Sequence, residues 1–325
     1  AADNYGELSS VHRVSRAHAH TMDQQRQASM PRLKRSLPAL SALVAVALAA
    51  IPGLASANMG DKDVARMVSF GGACAKCELS GRKLAGAQFV GANFAQAALV
   101  GSDLRDARFL GANFSGADLS RADLSDAQMV GANFTTAVLA DARLRDVEAR
   151  GVNFGGANLA RADLRDAAAA GSVFSKANLS NASLRGAELR ATNFSKANAR
   201  AADFRDAALT GANLGAGAFD HASFRDADLS AASLSGATFV NTDFRGASLT
   251  GANIAGVDLS RAKGLEQDQL DDACADGATR VPPGLIAKAC HRGARVRVVS
   301  RSPAPPAPPA APAPPAPPRF FAAVD

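Results

Sequence analysis

From Leu79 to Leu259 the chain counts in fives. Every residue whose number ends in 4 or 9 is apolar, and 32 of those 37 are Leu or Phe; Met129, Ala149, Ala169, Ala199 and Ile254 are the exceptions. Two residues earlier the side chain is usually small, with Ala at 27 of the 37 positions. The register never slips. A period of five fits neither the 3.6 of a helix nor the 2 of a strand. It fits a short extended piece and a bend, repeated so that the same two side chains always point inward.

A second period sits on the first. Gly-Ala-Asn-Phe recurs at 91, 111 and 131, becomes Gly-Val-Asn-Phe at 151 and returns as Gly-Ala-Asn-Leu at 211. Leu-Arg-Asp or Phe-Arg-Asp recurs at 104, 144, 164, 204 and 224. Four pentapeptides therefore make one coil, and position n stacks on n+20. Such an array grows by adding coils, so the length of 325 residues does not demand two cores.

Units such as Ala112-Asn113-Phe114-Ser115-Gly116 and Ala117-Asp118-Leu119-Ser120-Arg121 carry a resemblance. The sequence resembles the pentapeptide repeat family, Ala-(Asp/Asn)-(Leu/Phe)-x-x, over residues 77–262 without a gap. The resemblance implies an all-β fold, a right-handed quadrilateral β-helix; the repeat count gives about nine coils, with a length of roughly 45 Å at the ordinary strand spacing. Inside, Phe94, Phe114, Phe134, Phe154, Phe174 and Phe194 form one column of core rings. A second column runs Phe89, Phe109, Met129, Ala149, Ala169, Leu189, so two successive coils lose a large side chain. Val147 and Val152 stand at the neighbouring small positions, and a cavity or bend is expected near 147–170.

The flanks divide by composition. Residues 1–29 hold His12, His18 and His20 at irregular spacing without accompanying Cys or carboxylates, and read as a disordered or mis-included leader in preference to a metal tract. Residues 30–57 have the three parts of a secretory signal: basic Met30-Pro-Arg-Leu-Lys-Arg, an apolar run from Leu37 to Ile51, and Ala55-Ser56-Ala57 before the cleavage point. The run is shorter than the ~20 residues of a spanning helix; an uncleaved anchor is the alternative, and the one route to a membrane. Residues 58–76 read as an N-terminal cap, with Val64, Met67 and Val68 at helical spacing. Residues 263–291 read as a C-terminal cap with a helix over Glu266–Ala275, closed by Pro282-Pro283-Gly284. Residues 292–325, nearly all Pro and Ala from Ser302 to Pro318, read as a disordered tail.

Export makes the four Cys candidates for disulfides. Across a rod the two ends lie too far apart to bridge, so Cys74–Cys77 and Cys274–Cys290 are the expected pairs. A redox role for Cys74-Ala75-Lys76-Cys77 lacks its βαβ context, and zinc lacks further ligands.

The net charge of +6 is misleading. Residues 77–262 hold 19 Lys and Arg against 19 Asp and Glu, so the array is neutral (19 − 19 = 0). Binding of nucleic acid by bulk charge is not expected. One face carries Arg105, Arg145, Arg165, Arg185, Arg205, Arg225 and Arg245, interrupted by Ser125. Beside it run Asp106, Asp126, Asp146, Asp166, Asp206 and Asp226, so a mutually neutralised ladder is the simple expectation and an anion-binding face the functional one. The Asn column at 93, 113, 133, 153, 193, 213 and 253 is expected to hydrogen-bond from coil to coil. No catalytic arrangement, cofactor-cradling loop or metal set stands out; His221 is the one His of the array. The sequence thus points to a non-enzymatic solenoid, periplasmic or secreted, offering flat faces to a protein or anionic polymer. Some members of the resembled family mimic DNA and act on type II topoisomerases. That activity relies on an acidic rod in the cytoplasm, which a neutral array behind an export signal does not match.

Overall fold

A computed structural model describes residues 60–62, 64 and 71–289, all within the unit Ile51–Asp325. The leader, the signal segment, Met67, Val68, Cys290 and the Pro/Ala tail lie outside the described residues. From Ala73 onward the residues at numbers ending in 3 and 8 pair in parallel with their counterparts twenty residues on, as in Ala73↔Asn93, Asn113↔Asn133 and Ser223↔Asp243. Four pentapeptides per coil is thus the observed register.

The reason for the period lies in the backbone donors. In Ala112-Asn113-Phe114-Ser115-Gly116, the Ala112 N–H closes the turn onto the Phe109 carbonyl at 2.9 Å. Asn113 donates to Ala92 on one neighbouring coil at 2.8 Å; Phe114 and Gly116 donate to Asn133 and Thr135 on the other at 2.7 and 2.9 Å. The fifth N–H, of Ser115, is taken by the Asn113 side chain at 3.1 Å. A buried or half-buried backbone donor left unpaired is costly, and here all five are used. The same Asx cap serves Ala95, Ser120, Ser180, Arg205 and Ser260 among others. This explains why the middle of the motif is Asp or Asn.

Each turn also puts its third residue in the left-handed region, at φ near +60° from Lys76 to Gly256. Many of these are not glycine; Asp106, Asp126, Asp146, Asp166, Asp206 and Asp226 all sit there. Short polar side chains tolerate that conformation best after glycine.

The interior is as the spacing predicts. The six Phe from 94 to 194 stack with ring centroids 4.7–5.3 Å apart, close to the coil spacing. A further column, Phe204, Phe224 and Phe244, takes over on a neighbouring side at 4.9 and 5.5 Å. Around Ala149 and Ala169 the twenty-residue register runs on through Gln128, Glu148, Ala168 and Glu188. Val147 and Val152 are fully buried there. The Ser172 hydroxyl donates to the Ala149 carbonyl at 2.6 Å and accepts from the Val152 N–H at 3.0 Å. A polar group thus stiffens the stretch where large side chains are missing.

The small position carries a charge once, at Arg82 in the first coil. Its guanidinium reaches Asp61 at 3.4 Å, in the helical turn that also buries Val64. At the other end the helix is shorter than expected. It spans only Gln267–Asp271, with Leu270 fully buried and Gln269 donating to the carbonyls of Phe244 and Ala247. The chain then rejoins the ladder out of step, in Asn253↔Cys274 and Asp258↔Arg280, and Ala275 pairs with Ala289 beyond Pro282-Pro283-Gly284. The cap is an irregular coil because a partial turn of β structure covers the exposed strand edges better than a helix alone.

Two substitutions test this account. Asn113→Ala strands the Ser115 donor and breaks the side-chain ladder, and should cost about 1–3 kcal/mol in urea unfolding. Asn113→Asp keeps the cap and should cost less. Gly217 is tighter still: a Cβ there would lie 2.6 Å from Phe219 Cε2 and 3.0 Å from the Leu214 carbonyl. Gly217→Ala should lower stability by about 1–3 kcal/mol through overpacking, although Ala is native at the stacked positions 197 and 237.

Candidate interaction face

The Arg column is present, but only Arg185 and Arg225 pair with the expected Asp column. Arg105, Arg165, Arg205 and Arg245 fold back onto the Asp two residues earlier and grip it with Nε and Nη2. Arg105 holds Asp103 at 2.8 and 2.8 Å, Arg165 holds Asp163 at 2.8 and 2.8 Å, and Arg205 holds Asp203 at 2.8 and 2.6 Å. Arg245 grips Asp243 in the same way. Arg145, with no Asp two residues earlier, reaches across to Asp163 of the next coil. Of the expected Asp column, Asp206 meets Arg185 at 3.0 Å and Asp226 meets Arg225 at 3.4 Å.

The principal anionic partners are therefore Asp103, Asp163, Asp203 and Asp243, which the reading of parallel columns passed over. The signal was in the sequence, as Asp-(Leu/Phe)-Arg. In a turn closed over the large residue, the positions on either side of it lie on the same outer surface, so i and i+2 meet in a two-bond grip, whereas the adjacent pair Arg225 and Asp226 meets through a single longer contact. Each of these Asp also accepts the N–H of its own Arg partner at 3.1–3.4 Å, which makes it both turn cap and counter-ion.

The Asn column does what was expected at 93, 113 and 133 and, more weakly, between 193 and 213; Asn153 is followed by Val173, and Asn253 stacks on Ser233. Asn113 donates to Asn93 at 3.1 Å and Asn133 to Asn113 at 3.2 Å. A parallel ladder, Asn158, Asn178 and Asn198 at 3.1 Å, escaped the sequence reading.

Down the Arg face, the residue two before each Arg alternates: Asp163, Ser183, Asp203, Ser223, Asp243, joined in sequence by the parallel bridges. At Ser183 and Ser223 the missing carboxylate leaves a shallow hollow of about 290 and 300 Å3. Each is walled by Arg from three successive coils: Arg165, Arg185 and Arg205 around Ser183, and Arg205, Arg225 and Arg245 around Ser223. His221 lies at the rim of the second hollow.

At the N-terminal end, Cys74 and Cys77 form a disulfide, their Cα atoms 5.2 Å apart. Cys74 fills a large inward position and Cys77 the next small one, so the bond staples the first corner of the core. Cys274 is also disulfide-bonded; its expected partner Cys290 lies outside the described residues. Among the described residues no group of three or more His, Cys, Asp and Glu is placed to hold a metal ion. Among them too, no helix is long and apolar enough to cross a membrane.

Overlapping matches to the model of the pentapeptide repeats family begin at 74–109 and end at 227–263, covering more than half of the chain. The chain belongs to the pentapeptide repeat family. HetL, a pentapeptide repeat protein involved in heterocyst differentiation regulation in the cyanobacterium Nostoc sp. strain PCC 7120, is 26% identical with a TM-score of 0.55; the match covers 70% of this chain and 100% of HetL. QnrB1, a plasmid-mediated fluoroquinolone resistance protein, is 22% identical with a TM-score of 0.40, over 60% of this chain and 91% of its own. No curated protein matches the chain in sequence.

The Arg–Asp grips set the pH response. The Arg105 hydrogen bonds hold the Asp103 carboxyl below its usual range, and those of Arg245 do the same for Asp243. Arg105 and Arg245 are raised in turn, first by the hydrogen bonds to those Asp. A carboxylate with a depressed folded-state pKa adds stability above its unfolded pKa and loses it as pH falls through the folded value. Melting temperature should therefore be level down to about pH 5 and fall below about pH 4. Arg105→Gln combined with Arg245→Gln should melt lower than the parent near about pH 7, with the gap closing in acid. A constant gap would show that the grips are not what titrates.

Proposed function

We propose that the protein is a non-enzymatic interaction solenoid of the cell envelope or secreted space, a right-handed quadrilateral β-helix of about nine coils that presents its Arg face to a partner protein or anionic polymer. Pentapeptide repeat proteins generally serve as structural or interaction proteins, which agrees with a surface built from ladders and not from a catalytic pocket. The observation that carries the reading is the column of seven Arg on one face, Arg105 to Arg245, broken at Ser125 and repeated at the coil spacing. Grips to Asp consume only two of the five N–H groups of a guanidinium, so the column remains rich in donors.

Export through the segment 30–57, with cleavage after Ala57, gives the periplasm or the extracellular space as the setting. The bonded Cys74 and Cys77 are in keeping with an oxidising compartment. The equality of Lys and Arg with Asp and Glu over 77–262 separates this array from an acidic mimic of DNA.

The test is a pull-down from envelope fractions with residues 58–325, in parallel with a variant in which Arg165, Arg185 and Arg205 are replaced by Ser. A partner retained by the parent and lost by the variant is the expected result. Mature protein found in the cytoplasm, altering DNA supercoiling by gyrase, would overturn the proposal.

A further inference from the structure

The two hollows at Ser183 and Ser223 repeat every forty residues, which is two coils or about 9.6 Å. They differ from the rest of the face in how their central Arg is held. Arg165, Arg205 and Arg245 are each clamped by two bonds to a half-buried Asp, whereas Arg185 and Arg225 have only Asp206 and Asp226, through pairs in which both partners are about half exposed. Such exposed pairs are weak and easily exchanged for another carboxylate. The lining of the Ser183 hollow counts four Arg against Asp163 and Asp203 (+4 − 2 = +2), and that of the Ser223 hollow three Arg against Asp203 and Asp243 (+3 − 2 = +1). Asp203 and Arg205 belong to both, so the hollows form one continuous track.

The alternation along this track selects a ligand. A negative group is attracted at Ser183, finds no free cation over Asp203, whose carboxylate Arg205 already engages, and is attracted again at Ser223. A chain charged on every unit would lay one charge on Asp203. The phosphates of duplex DNA, at about 3.4 Å per nucleotide along a strand, are spaced far too closely. An extended sugar chain with a carboxylate on every second ring advances by about two coil spacings per repeat. Its neutral ring brings hydroxyl donors to the remaining acceptor capacity of Asp203.

Resting on the reading of this face as an interaction surface, we propose that the track through Ser183, Asp203 and Ser223 binds an acidic polysaccharide of alternating uronate and neutral sugars. One carboxylate sits in each hollow, held by Arg185 and by Arg225. The Arg forks, with the Ser hydroxyl beneath, supply the donors that a carboxylate requires.

Hyaluronan oligosaccharides, charged on every second ring, serve as the probe against the full chain in a titration. Polygalacturonate (charged on every ring), polyphosphate and neutral dextran are the comparisons. Hyaluronan should bind and the others bind at least about tenfold more weakly, with a step in affinity once an oligosaccharide spans two uronates. Arg185→Ser or Arg225→Ser alone should cost about tenfold and remove the step, which needs both hollows, while Arg190→Ser, outside the Arg column and both hollows, leaves binding unchanged. Asp203→Ser, which continues the Ser of the two hollows, should admit polygalacturonate. Thermal melting shows that each variant is folded. Equal binding of polygalacturonate or polyphosphate to the parent, indifference to Arg185 and Arg225, or no polymer binding overturns the assignment. Capture of an envelope partner by the Arg face in the pull-down would then still stand, so the two failures are distinguishable.

Discussion

The repeat array depends on one requirement: each five-residue unit must satisfy five backbone N–H groups without a conventional strand. In a unit such as 112–116 three bonds reach the coils above and below, one closes the turn, and the last is supplied by the Asn side chain; the same cap recurs where the unit carries Asp or Asn. Because the fifth acceptor is a side chain, the motif cannot be reduced to hydrophobic spacing alone. The inward Leu or Phe and Ala fill the interior, and the Asx residue makes the bend affordable in hydrogen bonds.

This division of labour sets the outer face. An Asx residue already fixed as a turn cap is a carboxylate held in place at no additional conformational cost, and an Arg two residues later closes on it. Where Asp gives way to Ser, at 183 and 223, the neighbouring Arg keeps only a solvent-exposed partner and the surface hollows. Surface ion pairs contribute little to stability singly. Their consequence here is the pattern of charge, which repeats every second coil on a rigid ladder.

The ends obey a different constraint. A stack of coils leaves an open edge and an uncovered apolar layer at each terminus. In the first coil the core is stapled by Cys74–Cys77 and Arg82 turns to Asp61. In the last, Gln269 caps two carbonyls and a coil with extra residues lays Cys274 and Arg280 along the ladder.

The sequence alone determined the coil of four pentapeptides, the stacked Phe of 94–194 and the Asn rungs at 93, 113 and 133, because each depends on a period that a linear chain displays directly; the Cys74–Cys77 pair followed from the length of the rod that period implies. It also placed the Arg column on one face. It did not show which Asp each Arg grips, since parallel columns in a sequence carry no information on which side of a turn two side chains emerge. The tertiary structure decided that, along with the short Gln267–Asp271 helix, the shifted register after Lys263, the burial of Ser172 against Ala149 and the hollows at Ser183 and Ser223. Those features arise from contacts between neighbouring coils, whose geometry is set by the packing of one turn on the next and not by the spacing within either.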